Sequence, residues 1–341
     1  MIKSVIATNY LGESLEMGIG DPDESGLLIS SIDGLGPGAS EINITELAAT
    51  DGAVYNSSRI ASRNIVINII FKGNPSIEDS RYLTYKLFPL KKPINLLVTT
   101  DKRSLQIDGF VESNEPSIFE QQEGTSISIV CPNPFFYSLS EMHINFGSIE
   151  PMFEFPFWND IEETVEVIPE KDVLMDTFWD PILDSSNEPI NGTEEFVAEV
   201  DTNKHLIFGE IHTSGYEYIH YYEGDVGTGV VMTVHFLGPV TGLSIYNVET
   251  NEIMRIDTDK LAKIIGSEIQ PYDDLIISTI TGKKHLTFWR DGKSYNVLNC
   301  LSRDSDWLKL DIGRNILSYK ADSGYRNLEF DIEYRPLYEG V

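Results

Sequence analysis

Arg63–Thr99 reads RNIVINIIFKGNPSIEDSRYLTYKLFPLKKPINLLVT, and this stretch decides the fold. Asn64–Phe71 alternates, with Ile65, Ile67 and Ile69 on one face and Val66, Asn68 and Ile70 on the other. Period-two alternation of β-branched residues predicts a strand. Gly73-Asn74-Pro75 breaks it, because proline has no N–H to give a ladder. Ser76, with Asp79 three residues on, has the chemistry of a helix N-cap. Ile77, Arg81, Leu83 and Leu87 then recur at helical spacing until Pro89 and Pro93 stop the helix, and Ile94–Thr99 restarts a strand. A short helix between strands predicts a sheet with one helix packed across it.

The rest of the chain is short strands separated by turns. Residues 1–60 read as glycine-rich and broken, with strands at Leu27–Ile32 and Ile42–Leu47, a flexible turn at Gly34–Gly38 and a hairpin signature at Asp51-Gly52. Ser104–Val111 and Gly124–Cys131 are the next strands. Pro132-Asn133-Pro134-Phe135-Phe136-Tyr137 makes a rigid exit, so the expected first domain is 1–138 and the second 139–341. Strands are expected in the second at Leu206–Ile211, Val230–Phe236, Gly242–Tyr246, Leu275–Ile280, His285–Arg290, Tyr295–Leu301, Asn315–Ala321 and Leu328–Tyr334. Thr258–Ile265, closed by Gly266, is the one helical segment there. Strands this evenly spaced predict a β-sandwich or jelly roll.

With 341 residues the chain can bury two cores. No apolar run approaches the roughly 18 residues of a membrane span, and the N-terminal sequence lacks the apolar region of a signal peptide. Cys131 and Cys300 sit in apolar surroundings and are expected as buried free thiols. The net charge of −29 opposes any grip on nucleic-acid phosphates. Residues 150–201 hold sixteen acidic residues against the single Lys171, interleaved with aromatics and prolines. So many large aromatics favour an arm that packs on a neighbour over a solvated loop.

Three groups of residues carry a family resemblance. The first is Arg63-Asn64-Ile65 with the helix Arg81–Pro89, and the second is the exit Cys131-Pro132 with its aromatic cluster. The third is an ordered set: Gly224-Asp225, Gly238-Pro239-Val240, Tyr246–Thr250, Ser305–Leu308, Gly313–Ile316 and Tyr338–Val341. In these the chain resembles the distal tail proteins of long-tailed bacteriophages over nearly its whole length, except 159–203, which reads as an acidic insertion. The resemblance implies a mainly β protein: an N-terminal β-sandwich with one helix, then a galectin-like β-sandwich. It further implies a non-enzymatic virion component without cofactor or metal, assembled in the host cytoplasm and placed at the tail tip. Six copies would form a ring whose partners are the tail tube protein, the tail-tip protein and a receptor-binding protein. DNA would meet it only in passage, and no membrane insertion is implied. The expected ring or partner contacts are a loop or hairpin carrying Gly34, Pro37, Asp51, Tyr55, Arg59 and Arg63, and an aromatic grip of Phe155, Phe157, Trp158, Phe178 and Trp179.

Two other classes compete. Tyr216, Tyr218, Tyr221 and Tyr222 make an aromatic run beside Glu217 and Glu223, and a sandwich bearing such a cluster can stack sugar rings, with Tyr216 and Tyr221 as the glycan contacts. The plainer explanation is that alternating tyrosines fill one sheet face. Acid–base glycosidase chemistry needs two carboxylates in a cleft, and Asp176/Asp180 have no motif around them. The six histidines include no HExxH or close i, i+4 pair, and neither a phosphate-cradling loop nor a Gly-x-Ser-x-Gly elbow occurs.

Overall fold

The computed structural model describes residues 1–19, 25–47, 51–73, 76–119, 121–147, 149–154, 199–201, 205–211 and 217–341. The first part of the chain runs β1 (Ile2–Asn9), β2 (Ser14–Met17), β3 (Leu27–Asp33), β4 (Ser40–Glu46), β5 (Ala53–Ile60), β6 (Arg63–Phe71), α1 (Ile77–Leu87), β7 (Pro93–Thr100), β8 (Ser104–Ser117), β9 (Gly124–Cys131) and β10 (Phe136–Ser138). β6 buries Ile65, Ile67, Ile69 and Phe71, the face its alternation selects. α1 starts where the Ser76 hydroxyl accepts the Asp79 N–H at 3.2 Å and donates to the Asp79 carboxylate at 2.5 Å. It ends on buried Leu87 and Phe88.

Seven of these strands form one antiparallel path, β2-β1-β7-β8-β9-β6-β3. A parallel bridge between Gly18 and Leu28 joins its two ends, so the sheet curls back on itself around one hydrophobic cluster. Two strands differ from the sequence expectation. β1, in the stretch expected to be broken, lies inside the path because β2 and β7 pair with it on either side, and it buries Val5, Ala7 and Asn9. β8 runs on to Ser117 because a bulge between Val111 and Ser113 absorbs the loss of alternation while pairing with β9 continues.

The second part runs β11 (Met142–Gly147), β12 (Ile149–Glu154), β13 (Glu199–Asp201), β14 (His205–Ile211), β15 (Glu217–Tyr222), β16 (Thr228–Gly229), β17 (Val231–Phe236), β18 (Leu243–Asn247), β19 (Glu252–Ile256), α2 (Thr258–Ile265), β20 (Asp273–Ser278), β21 (His285–Arg290), β22 (Lys293–Asn296), β23 (Lys309–Leu310), β24 (Gly313–Lys320), β25 (Leu328–Tyr334) and β26 (Leu337–Tyr338). A six-stranded sheet, β11-β25-β17-β20-β21-β22, faces a four-stranded one, β15-β24-β18-β19. Their inner faces share a single cluster containing Met232, Val234, Phe288, Phe330, Ile245, Met254 and Leu317, which makes them a sandwich. The mainly β architecture is therefore the one expected.

Two local expectations are corrected. Leu206–Ile211 belongs to a separate three-stranded sheet, β12-β14-β13, and not to the sandwich. The expected strand Tyr295–Leu301 stops at Asn296, whose side-chain oxygen accepts the Leu298 N–H at 3.1 Å and turns the chain into a 3-10 segment, Leu298–Cys300. β26 pairs with β10, and Tyr338 and Val341 pack on the first cluster. The last strand of the chain thus returns to the first sheet after the sandwich strands. Cys131 and Cys300 are free and buried, and no helix among the described residues is long and apolar enough to cross a membrane.

Candidate functional site

β4 and β5 form a two-stranded hairpin outside both sheets. Every residue of the two strands is exposed except the half-buried Ile60. Glu41 faces Arg59, Ile42 faces Ser58, Asn43 faces Ser57, and after a bulge Ile44 faces Tyr55. Directly opposed residues share a face, so Ile42, Ile44 and Tyr55 line one side. Asn43, Ser57 and the 2.6 Å Glu41–Arg59 ion pair line the other. The apolar side stands open, with Ile42 62%, Ile44 55% and Tyr55 61% exposed. Hydrogen bonds hold the ribbon's shape: Asn56 Nδ2 donates to Thr45 Oγ1 at 2.7 Å, and the Tyr55 and Ser58 hydroxyls meet at 2.8 Å.

The hairpin's root is fixed by one buried arginine. Arg63 is 6% exposed. Its guanidinium donates to the carbonyls of Pro134 at 2.7 Å, Gly34 at 2.6 Å and Glu339 at 2.5 Å, and also to that of Gly36. It lies 4.8 Å from the centre of the Phe136 ring. Burial lowers its pKa, and the negative charge of Glu339 partly opposes this. Gly34 enters the clamp with φ +88°, and a Cβ there would lie 2.2 Å from the Asn64 carbonyl oxygen. Only glycine fits that approach. The Val341 N–H donates to Leu35 O at 3.2 Å, laying residues 337–341 along the same root.

The expected contact residues are therefore distributed unevenly. Tyr55 is on the open apolar face, while Arg59 is committed to Glu41 on the polar one. Pro37 is exposed in the root loop, and Asp51 is exposed in the turn beside Gly52. Arg63, expected as a contact, is spent inside the chain, because four carbonyls converge on it. Phe155, Phe157, Trp158, Phe178, Trp179, Tyr216, Asp176 and Asp180 lie outside the described residues. Ile42 and Ile44 were not singled out in the sequence. Their alternation with Asn43 and Thr45 marks an amphipathic strand but not whether its apolar side is covered.

The described residues of the tyrosine run do not make a platform. Successive residues of β15 face opposite ways, so Tyr222 is buried while Tyr221 is 66% exposed. Tyr218 stacks on Phe146 with ring centres 5.8 Å apart. The Tyr222 hydroxyl donates to Val226 O at 2.7 Å and accepts the Leu337 N–H at 2.8 Å, and burial pushes its pKa up to about 12. His220 Nε2 lies 2.8 Å from the Tyr334 hydroxyl, and burial lowers the imidazole pKa. Among the described tyrosines of this run, Tyr221 alone is left for a sugar to stack on.

No family model matches the chain, and no curated protein matches its sequence. Among solved structures the chain is similar to the Dit protein of phage SPP1, described as a paradigm of the hub adsorption apparatus in phages infecting Gram-positive hosts. The TM-score is 0.58 at 11% identity, covering 98% of this chain and 99% of that one. Chains of the phage P2 baseplate in its activated conformation also align over 98% of both lengths. The TM-score is 0.42 at 12% identity for the form with Ca and 0.40 at 11% for the form with Sr. The chain thus has the mainly β fold of the SPP1 Dit protein.

Proposed function

We propose that this chain is a structural, non-enzymatic hub protein of a phage tail, and that the β4–β5 hairpin is the part that joins one copy to the next in a six-membered ring. The observation that carries the reading is the hairpin's open apolar face. An isolated two-stranded ribbon is marginal in water. Leaving Ile42, Ile44 and Tyr55 more than half exposed on such a ribbon makes sense when a partner covers them. A closed ring uses one patch against a different patch on the neighbour, and a projecting hairpin suits such a heterologous contact.

In this reading the ring ends the tail tube on one side and receives the tail-tip protein on the other, with a receptor-binding protein further out. With acidic residues lining it, a central channel repels passing DNA, in keeping with the net charge of −29. The fold shared with SPP1 Dit supports the reading.

The test is solution mass by light scattering, with negative-stain imaging, on the full chain and on an Ile42→Asp/Ile44→Asp variant. Expected are rings of about six copies for the parent and monomers for the variant, with unchanged far-UV dichroism. A parent that stays monomeric and yields no cross-linked multimers as concentration rises overturns the proposal. So does a variant that still forms rings.

A further inference from the structure

We propose that His143, Asp331 and Glu333 form a binding site for one divalent transition-metal ion of the zinc class, stapling β11 to β25. Among the described residues β11 is an outer strand of the six-stranded sheet, paired with β25 alone. His143 and Glu333 are direct partners across that ladder, and Asp331 lies two residues further along the same face. His143 Nδ1 is 3.7 Å from Asp331 Oδ1 and 3.9 Å from Glu333 Oε1. All three ligand atoms lie within 4.8 Å of one another.

Both separations exceed the roughly 2.7–3.2 Å of a hydrogen bond, so the imidazole is directly bonded to neither carboxylate. They suit a shared ion instead. Donors about 2.0–2.2 Å from a tetrahedral zinc lie about 3.3–3.6 Å apart, which small side-chain rotations reach from here.

The charges point the same way. Two carboxylates on one face, two residues apart, repel each other. Among the described residues no lysine or arginine forms an ion pair with either. The Asn145 side-chain amide, turned with its nitrogen toward Asp331 Oδ1, donates to it at 2.8 Å and so orients one ligand. One imidazole nitrogen with two carboxylates favours zinc, cobalt or nickel over calcium, whose ligands are oxygens. The side chains are 52%, 35% and 44% exposed, which lets an ion enter without unfolding and leaves water to complete its shell.

The test is calorimetric titration of the chelator-treated full chain with zinc in the presence of excess magnesium, which occupies the diffuse sites of so acidic a chain. Expected is saturable binding of one zinc per chain. Affinity should fall at least tenfold in His143→Ala and Asp331→Asn. Asn145→Ala, which removes no ligand, should weaken binding by about tenfold. Zinc should raise the thermal midpoint of the parent and not that of a His143→Ala/Asp331→Asn double variant. No saturable binding above the magnesium background overturns the proposal. Binding that the double variant retains overturns it as well, since the ion then sits elsewhere. Neither outcome depends on whether the chain forms rings.

Discussion

Replacing Arg63 by methionine removes the one side chain on which the hairpin root, the Pro134 exit and residues 339–341 converge. Methionine keeps much of the apolar volume beside Phe136, so the change isolates the polar loss. Four carbonyl oxygens, of Gly34, Gly36, Pro134 and Glu339, lose a charged donor. A hydrogen bond to a charged group contributes about 1.5–3 kcal/mol, and the four are not additive because they share one guanidinium. The expected loss is about 3–5 kcal/mol, the range for breaking a buried charged network. In a unit of this size that lowers the thermal midpoint by on the order of 10 °C. Differential scanning calorimetry measures it. Hydrogen exchange should show faster exchange of the Val341 amide, which is bonded to Leu35 O. Arg63→Lys restores the charge but not the planar fork, and should recover less than half of the loss. A methionine variant within about 1 kcal/mol of the parent, with Val341 still protected, would refute the clamp.

Gly34→Ala should cost at least about 2 kcal/mol in denaturant unfolding, from positive φ and a Cβ driven into Asn64 O. A cost below about 0.5 kcal/mol would mean that the root does not hold this geometry. For His220, burial lowers the pKa, with Glu223 partly opposing it, so the unfolded chain takes up the proton first, near pH 6.5. The stability that the neutral ring contributes is therefore complete above about pH 6.5 and lost as pH falls through the depressed value. His220→Gln should flatten the fall in thermal midpoint on acidification below pH 6.5, and an unchanged slope would assign that fall to other groups.

The legible parts of this sequence are those where local pattern and tertiary burial agree. β6, α1 and β9 follow from alternation, a capping serine and a clean Gly–Cys run, and β21, β25 and α2 match residue for residue. What was not legible depends on partners distant in the chain. β1 becomes a strand of the path because β2 and β7 flank it, not because its own pattern is strong. Arg63 looks like any strand-start cation until Gly34, Pro134 and Glu339 are brought to it. The tyrosine run shows how two readings of one pattern separate. Side chains adjacent in sequence look like a cluster, but a strand sends neighbours to opposite faces, as Tyr221 and Tyr222 are.

The clamp also bears on how a projecting ribbon can serve as a joint. A flexible hairpin would lose conformational entropy on docking, about 1–2 kcal/mol for each residue ordered. Here the ribbon is braced by the Glu41–Arg59 pair and by the Asn56–Thr45 and Tyr55–Ser58 bonds, and its root is locked on Arg63, so much of that ordering is already present before docking. The same lock reaches the second half of the chain. Tyr222, in the sandwich core, bonds the Leu337 N–H, β26 pairs with β10, Arg63 holds Glu339, and Leu35 holds Val341. Arg103 adds a second tie, over the Tyr338 ring at 4.7 Å and 3.9 Å from Asp225. Any force on the sandwich that shifts residues 337–341 is therefore delivered to the base of the hairpin through direct hydrogen bonds, with no loop between them to absorb it. In the proposed ring, a rigid route of that kind would let the position of the sandwich set the angle at which neighbouring copies meet.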